Sequence, residues 1–262
     1  MPRRPGAPLP VVLAALLLAA PSAGSEPIAP ADRRSSFEQM GPDIQAMQRD
    51  EAANPGMLAV ADGAELWTRP PRPDRPACAG CHGEAAGMRG VAARYPAWDE
   101  KTARPIDLQD RIRACRRAHQ GADPLAYESP DLLALTAFVA AQSRGLPIAP
   151  PDDARLAPAR AEGRALFEAR QGQLGLSCAI CHDAHWGRHL GSAVIPQGHP
   201  TGYPLYRLEW QGLGSLQRRL RNCLTGMRAE PFGYGAPDYV ALELYLATRA
   251  APLPVETPAV RP

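Results

Sequence analysis

Lysine is almost missing from this 262-residue chain. Lys101 is the sole one, while arginine is abundant, which reads first as a genomic composition bias. Charge of one sign is also missing: a formal net charge of +2 carries none of the basic excess that marks a nucleic-acid binder. Long apolar runs are absent too. The one candidate is Val11 to Ala20, far short of the ~20 residues that cross a bilayer. It lies between Arg3 and Arg4 on one side and the small residues Ser22 to Ser25 on the other. That is the pattern of a secretory signal peptide over residues 1–25. Its removal takes away two arginines and leaves a side-chain charge of +2 − 2 = 0. The mature chain is therefore expected to be soluble and periplasmic, with no membrane association. Its 30 prolines and 23 glycines predict turn-rich connections between short helices.

What is present is cysteine: Cys78, Cys81, Cys115, Cys178, Cys181 and Cys223. Three disulfides would be the plain reading in a secreted protein, but the spacing argues otherwise. Cys78-Ala-Gly-Cys81-His82 and Cys178-Ala-Ile-Cys181-His182 are both C-x-x-C-H, the attachment pattern of c-type haem. The two thiols form thioethers to the porphyrin, and the adjacent histidine becomes the proximal iron ligand. A thioredoxin-like dithiol is disfavoured because no βαβ pattern surrounds either motif. Two covalently bound haem c groups are expected.

The motifs sit in an internal repeat. Asp62-Gly63-Ala64-Glu65-Leu66-Trp67 and Glu162-Gly163-Arg164-Ala165-Leu166-Phe167 precede them at a constant offset of 100. Downstream, 134–148 matches 241–255 without a gap, pairing Leu135 with Leu242, Phe138 with Tyr245 and Pro147 with Pro254. Apolar residues recur there at helical spacing. Ser129-Pro130-Asp131 and Pro237-Asp238 fit helix starts. The expectation is a mainly α fold: two tandem class I cytochrome c-like domains whose first and last helices pack beside the haem. Gly63 and Gly163 would allow that close crossing. The predicted organisation is a signal peptide at 1–25, an extension at 26–60 with a short helix over 36–50, a first haem domain at 61–148, a linker at 149–159, a second haem domain with the active site at 160–255, and a tail at 256–262.

A sixth iron ligand is harder to find. Met88 is close to His82, and the first half has no later methionine. It has Cys115 at the end of Leu108-Gln-Asp-Arg-Ile-Arg-Ala-Cys115, matched by Leu216-Gln-Arg-Arg-Leu-Arg-Asn-Cys223. We read Cys115 and Cys223 as thiolate axial ligands, so the iron-ligating set is His82, Cys115, His182 and Cys223. The plain alternative is a Cys115–Cys223 disulfide, which an oxidising compartment permits. Met227 competes in the second half. His119, His185, His189 and His199 are weaker candidates whose default is solvent exposure. Thiolate ligation lowers the potential relative to His/Met, and a thiolate is itself nucleophilic and oxidisable.

With these residues in hand, the chain resembles SoxA, the dihaem A subunits of the SoxAX cytochrome complex of bacterial sulfur oxidation. The resemblance rests on Met47-Gln48-x-Asp50, Asn54-Pro55-Gly56-Met57, Gly63-x-x-Leu66-Trp67, Gly90 to Pro96 (GVAARYP), Arg111-Ile112-x-x-Cys115-Arg116 and Gln142-Ser143-Arg144-Gly145. It implies an L-cysteine S-thiosulfotransferase, which couples thiosulfate to a cysteine of the carrier SoxYZ and passes two electrons to cytochrome c. It also implies a heterodimer with the monohaem cytochrome SoxX. The family's catalytic cysteine, which can carry a persulfide, falls on Cys223, and its substrate-binding active-site arginine falls on Arg219. Single-haem relatives lack the first C-x-x-C-H, which this chain keeps.

Physically, a planar guanidinium suits the oxygens of the thiosulfate dianion. Arg218, Arg219 and Arg221 all surround Cys223, and a haem propionate or solvent would be an ordinary partner for some of them. Arg111, Arg113 and Arg116 flank Cys115 in the same way. The rival reading is a dihaem electron-transfer cytochrome without covalent sulfur chemistry. A haem peroxidase would need a vacant distal face, which two cysteine ligands disfavour.

Overall fold

The computed structural model describes Met1 and residues 28–262. The signal-peptide expectation thus falls, Met1 apart, outside the described residues. An N-terminal extension carries α1 (Pro42–Arg49). The first half follows as α2 (Gly56–Thr68), α3 (Cys78–His82), the hairpin β1 (Ala97–Asp99) and β2 (Arg104–Ile106), α4 (Leu108–Gln120) and α5 (Pro130–Ala141). The second half has α6 (Ala157–Glu168), α7 (Cys178–His182), the hairpin β3 (His189–Leu190) and β4 (Ala193–Val194), the hairpin β5 (Leu205–Arg207) and β6 (Gly212–Gly214), α8 (Leu216–Gly226) and α9 (Pro237–Ala250). The chain ends on β7 (Val260–Arg261), which pairs parallel with β5, Tyr206 facing Val260. Helix predominates. No described helix is long and apolar enough to cross a membrane.

Local chemistry sets the boundaries. Ser129 caps α5 by accepting from the Leu132 amide, with Pro130 at the first helical position, where its missing N–H removes no helical bond. Pro237 opens α9 in the same way. In the extension, a 3-10 turn at Ser36–Gln39 stops and Gly41 is extended before Pro42. The helix expected over 36–50 is therefore split, because the residue before a proline is driven out of the α region.

Two helix pairs make the frame: α2 packs on α5, and α6 on α9. Both crossings use their glycine. A Cβ on Gly63 would overlap the Ala134 carbonyl and the Phe138 side chain; one on Gly163 would overlap the Ala241 carbonyl and Tyr245. Around the first crossing Trp67, Phe138 and Val139 form an apolar cluster. Around the second, Phe167, Leu224, Met227, Tyr239, Leu242 and Leu246 do so. A third cluster, Ala93, Ile148, Ala247, Ala250 and Val255, joins the two halves.

The extension and the tail are stitched to the second half. The Arg34 amide donates to Gln197 Oε1 at 2.7 Å, and Asn54 Nδ2 donates to the Pro258 carbonyl at 2.9 Å. Gln48 Oε1 accepts from the Val260 amide at 3.0 Å, and Arg261 pairs with Glu256 at 2.9 Å. The tail is thus a buried strand that continues the β5–β6 sheet.

Candidate haem faces and the Cys223 site

Each C-x-x-C-H forms one short helix, α3 or α7. Residues three and four apart share a helix face, so both thiols and the imidazole of a motif look the same way. Ser177 caps α7 by accepting from the Ile180 amide at 3.2 Å. His182 Nδ1 lies 2.7 Å from the Pro196 carbonyl. A carbonyl only accepts, so Nδ1 holds the proton and donates, leaving the Nε2 lone pair for a metal. Phe167 packs 6.4 Å from the His182 ring, and Trp67 packs 5.6 Å from the His82 ring. Trp67 Nε1 donates to the Gly83 carbonyl at 3.1 Å, which fixes the end of α3. All six thiols are free, and no Cys115–Cys223 disulfide forms. Unpaired thiols at C-x-x-C-H spacing, with an imidazole locked in the ligating tautomer, fit covalent haem c.

The opposite faces come from α4 and α8. Asp107 caps α4, accepting from the Asp110 amide at 2.6 Å, and Ser215 caps α8, accepting from the Arg218 amide at 3.1 Å. Each cap stands eight residues before its cysteine, Cys115 or Cys223. The second-half residues converge directly. Cys223 lies close enough to His182 for the imidazole to act on its thiol, and its own charge is felt by Cys178 and Cys181. In the first half Cys78 feels the charge of Cys115, and Cys115 feels that of Cys81. The two thiols differ in acidity. Burial pushes Cys223 up, but His182, Arg219 and Arg207 outweigh it, and the thiol ends below its ordinary value. Burial dominates at Cys115, whose thiol is raised although Arg111 and Lys101 oppose it.

The competing ligands are otherwise engaged. Met227 is buried in the second core cluster, and Met88 packs against the first. His119, His185 and His189 are exposed as expected. His199 departs from expectation. It is buried beneath the extension, where Nδ1 donates to the Arg34 carbonyl at 2.9 Å and burial brings its pKa down to about 4.

The structure also sorts the arginines. Arg218 stacks on Trp210 at 4.3 Å. Arg221 donates to the Phe232 carbonyl and lies 4.7 Å over Tyr234. Arg113, the counterpart of Arg221, donates to the Leu125 carbonyl and lies 4.1 Å over Tyr127. Arg111 pairs with buried Asp99 at 2.7 Å and donates to Tyr95 Oη at 3.2 Å. Arg219 is partly buried near Cys223, and among the described residues its side chain makes no hydrogen bond or ion pair with protein. Sequence reasoning missed Arg207 and Asp99. The signal that finds them is the recurrence of Tyr95-Pro96 as Tyr203-Pro204, which carries the register upstream of both ligand helices.

A C-x-x-C-H helix with an iron-ready imidazole, opposed by a side chain from a second helix and framed by crossed first and last helices, defines a c-type cytochrome that binds haem covalently. The SoxA/TsdA cytochrome c domain family matches residues 62–148 and 162–255. The chain is 37% identical over 229 residues to the L-cysteine S-thiosulfotransferase subunit SoxA of Rhodovulum sulfidophilum, covering 87% of this chain and 80% of that one. It is 38% identical over 216 residues to the subunit of the same name from Pseudaminobacter salicylatoxidans, covering 82% and 76%. The crystal structure of SoxXA from P. pantotrophus superposes with a TM-score of 0.85 at 31% identity, over 88% of this chain and 87% of that one. The chain belongs to the SoxA family of cytochromes c.

Proposed function

We propose that this chain is the dihaem subunit of a periplasmic L-cysteine S-thiosulfotransferase. It works as a heterodimer with a monohaem SoxX-type cytochrome and acts on thiosulfate and a SoxYZ-type carrier. Two tandem cytochrome c-like domains, at 61–148 and 160–255, hold one haem c each after the 1–25 signal is removed. Cys78 and Cys81 attach the first haem, with His82 and Cys115 as its axial ligands. Cys178 and Cys181 attach the second, with His182 and Cys223. The observation that carries the reading is Cys223 itself: a thiol that His182 and Arg219 hold below its ordinary value despite burial, with no hydrogen bond or ion pair engaging the Arg219 side chain among the described residues.

A thiol held toward its thiolate is the reactive form of cysteine. Arg219 draws in the thiosulfate dianion and steadies its oxygens. A bond forms between the Cys223 sulfur and the terminal sulfur of thiosulfate, and two electrons leave. The carrier thiolate then attacks the outer sulfur of that bond, takes the S-thiosulfonate and returns Cys223 as thiolate. The sum is carrier thiolate plus thiosulfate giving carrier S-thiosulfonate and two electrons. When bound, haem supplies the one-electron acceptor chemistry that passes these electrons toward cytochrome c. A persulfide on Cys223 would place the attacking sulfur one atom further out, with the same balance.

The test is Cys223→Met in the haem-loaded complex. Loss of turnover with both haems still attached is the expected result, and near-normal turnover would sink the assignment. The electron-transfer-only reading predicts an unmodified Cys223. Peptide mass spectrometry after thiosulfate treatment separates the two, because an added sulfur weighs about 32 Da.

A further inference from the structure

The two hairpins that precede α4 and α8 share one pairing register. In the first, Ala97 faces Ile106 and Asp99 faces Arg104. In the second, Leu205 faces Gly214 and Arg207 faces Gly212. The turn residues Ala103 and Gln211 share the same left-handed φ of 48°. A helix cap follows each hairpin, and then a ligand cysteine. The correspondence pairs Tyr95 with Tyr203, Arg111 with Arg219, Cys115 with Cys223, and Asp99 with Arg207. The carboxylate that neutralises the arginine in one half is thus replaced by a second guanidinium in the other.

That replacement has local consequences. Arg207 is half-buried, and its Nε is buried without a partner among the described residues. Its ion-pair partner among the described residues, Glu209 at 3.0 Å, also acts on Arg219 and is 63% exposed, so the pair is screened and weak. Trp210 lies 5.2 Å from the guanidinium carbon and braces one face. Burial, together with the neighbouring Arg219, lowers the hold of Arg207 on its proton. Two adjacent guanidiniums repel each other, and each has donors to spare. A small dianion between them removes the repulsion and satisfies those donors with charge-assisted hydrogen bonds.

We propose that Arg207 is a second substrate-binding residue, which with Arg219 forms a two-guanidinium clamp for the sulfonate oxygens of thiosulfate beside Cys223. The inference rests on the functional reading above. It adds that the exchange of Asp99 for Arg207 between the halves is what opens one haem face to anions and closes the other.

The experiment compares wild type with Arg207→Gln and Arg207→Lys in the haem-loaded complex with its monohaem partner. Thiosulfate binding is measured by calorimetry, and KM and kcat by turnover. Arg207→Gln is expected to weaken thiosulfate binding and raise KM about ten- to a hundredfold, the range of one charge-assisted contact. kcat should fall much less. Arg207→Lys should recover part of the affinity, because it keeps the charge and loses the fork. Unchanged binding and KM in Arg207→Gln would overturn the clamp while leaving the function intact. A uniform fall in kcat with no change in binding, or no rescue by lysine, would also overturn it. Absence of thiosulfate binding or turnover in wild type would instead sink the underlying function. Should the glutamine variant fail to load haem, the lysine variant alone decides, by showing or not showing a KM increase at full haem content.

Discussion

Cys115 and Cys223 occupy the same turn of corresponding helices, each reached through a matching hairpin and a side-chain cap, yet their surroundings are electrically opposite. Beside Cys115, Arg111 is consumed by Asp99 and Tyr95, and burial leaves the thiol raised. Beside Cys223, Arg219 makes no ion pair among the described residues, a second arginine stands where the aspartate was, and the thiol is depressed. The two halves share a hairpin, a capped helix and a cysteine at the same place. What differs between them is the few charged side chains around that cysteine.

The sharpest way to break this comparison is to exchange the ligands one at a time. Cys223→Met should cost at least about a thousandfold in turnover, as the loss of a reacting nucleophile does. Cys115→Met should keep turnover within about tenfold, since methionine also ligates haem iron. Comparable losses at both sites would mean that the two faces share the chemistry. Next comes the arginine pair. Arg219→Gln should lower kcat/KM for thiosulfate about a hundredfold or more, the scale of an electrostatic donor to a reacting anion. Arg111→Gln should leave KM for thiosulfate unchanged and instead destabilise the fold by about 1–3 kcal/mol, because Asp99 keeps its Thr102 hydrogen bonds but loses its charged one. Thermal denaturation and steady-state kinetics on the same samples separate the two effects.

Much of this was legible in the residues. C-x-x-C-H, the paired octapeptides ending in cysteine, the Ser129 cap and the glycines at the crossings all express local chemistry, which a sequence carries openly. The charge exchange was legible only through the Tyr-Pro recurrence, and so was missed. Cys115 follows His82 by 33 residues and Cys223 follows His182 by 41. The extra residues, which include the β3–β4 hairpin, hide the register until the later hairpins are seen to match. The path of the extension was hidden for a different reason. It is held by contacts such as Arg34 to Gln197 and Asn54 to Pro258, which join polar groups far apart along the chain and leave no periodic trace. The burial of His199 follows from that path.

The helix crossings give a test of how alike the halves are as frames. Gly63→Ala and Gly163→Ala each force a methyl against a facing backbone carbonyl. Overpacking of this kind typically costs about 1–3 kcal/mol, and both should sit at the upper end because backbone yields less than a side chain. Similar drops in melting temperature, with haem content unchanged, are the expected result. A large drop for one variant alone would show that the halves do not share the load.

The smallest predicted effect lies at the helix caps, where the halves differ again. The α8 cap is a neutral serine, whereas the α4 cap Asp107 is buried and raised to about 7. Burial is the main cause. Asp110 adds to it, while the Asp110 amide, Gln217 and Arg113 oppose it. Glu243, which reaches the same Gln217 from α9, is also driven well above its usual range by burial and by Asp107. Because its pKa in the fold exceeds its ordinary 3.8, the folded chain holds the Asp107 proton more tightly than the unfolded chain does. Its contribution to stability is complete below pH 3.8 and is lost as the pH rises through about 7. An asparagine in its place would still cap the helix but could not titrate. The difference in melting temperature between wild type and Asp107→Asn should therefore shift steadily against wild type across that window and level off above it. Parallel curves would show that the two halves are capped by electrically equivalent groups after all.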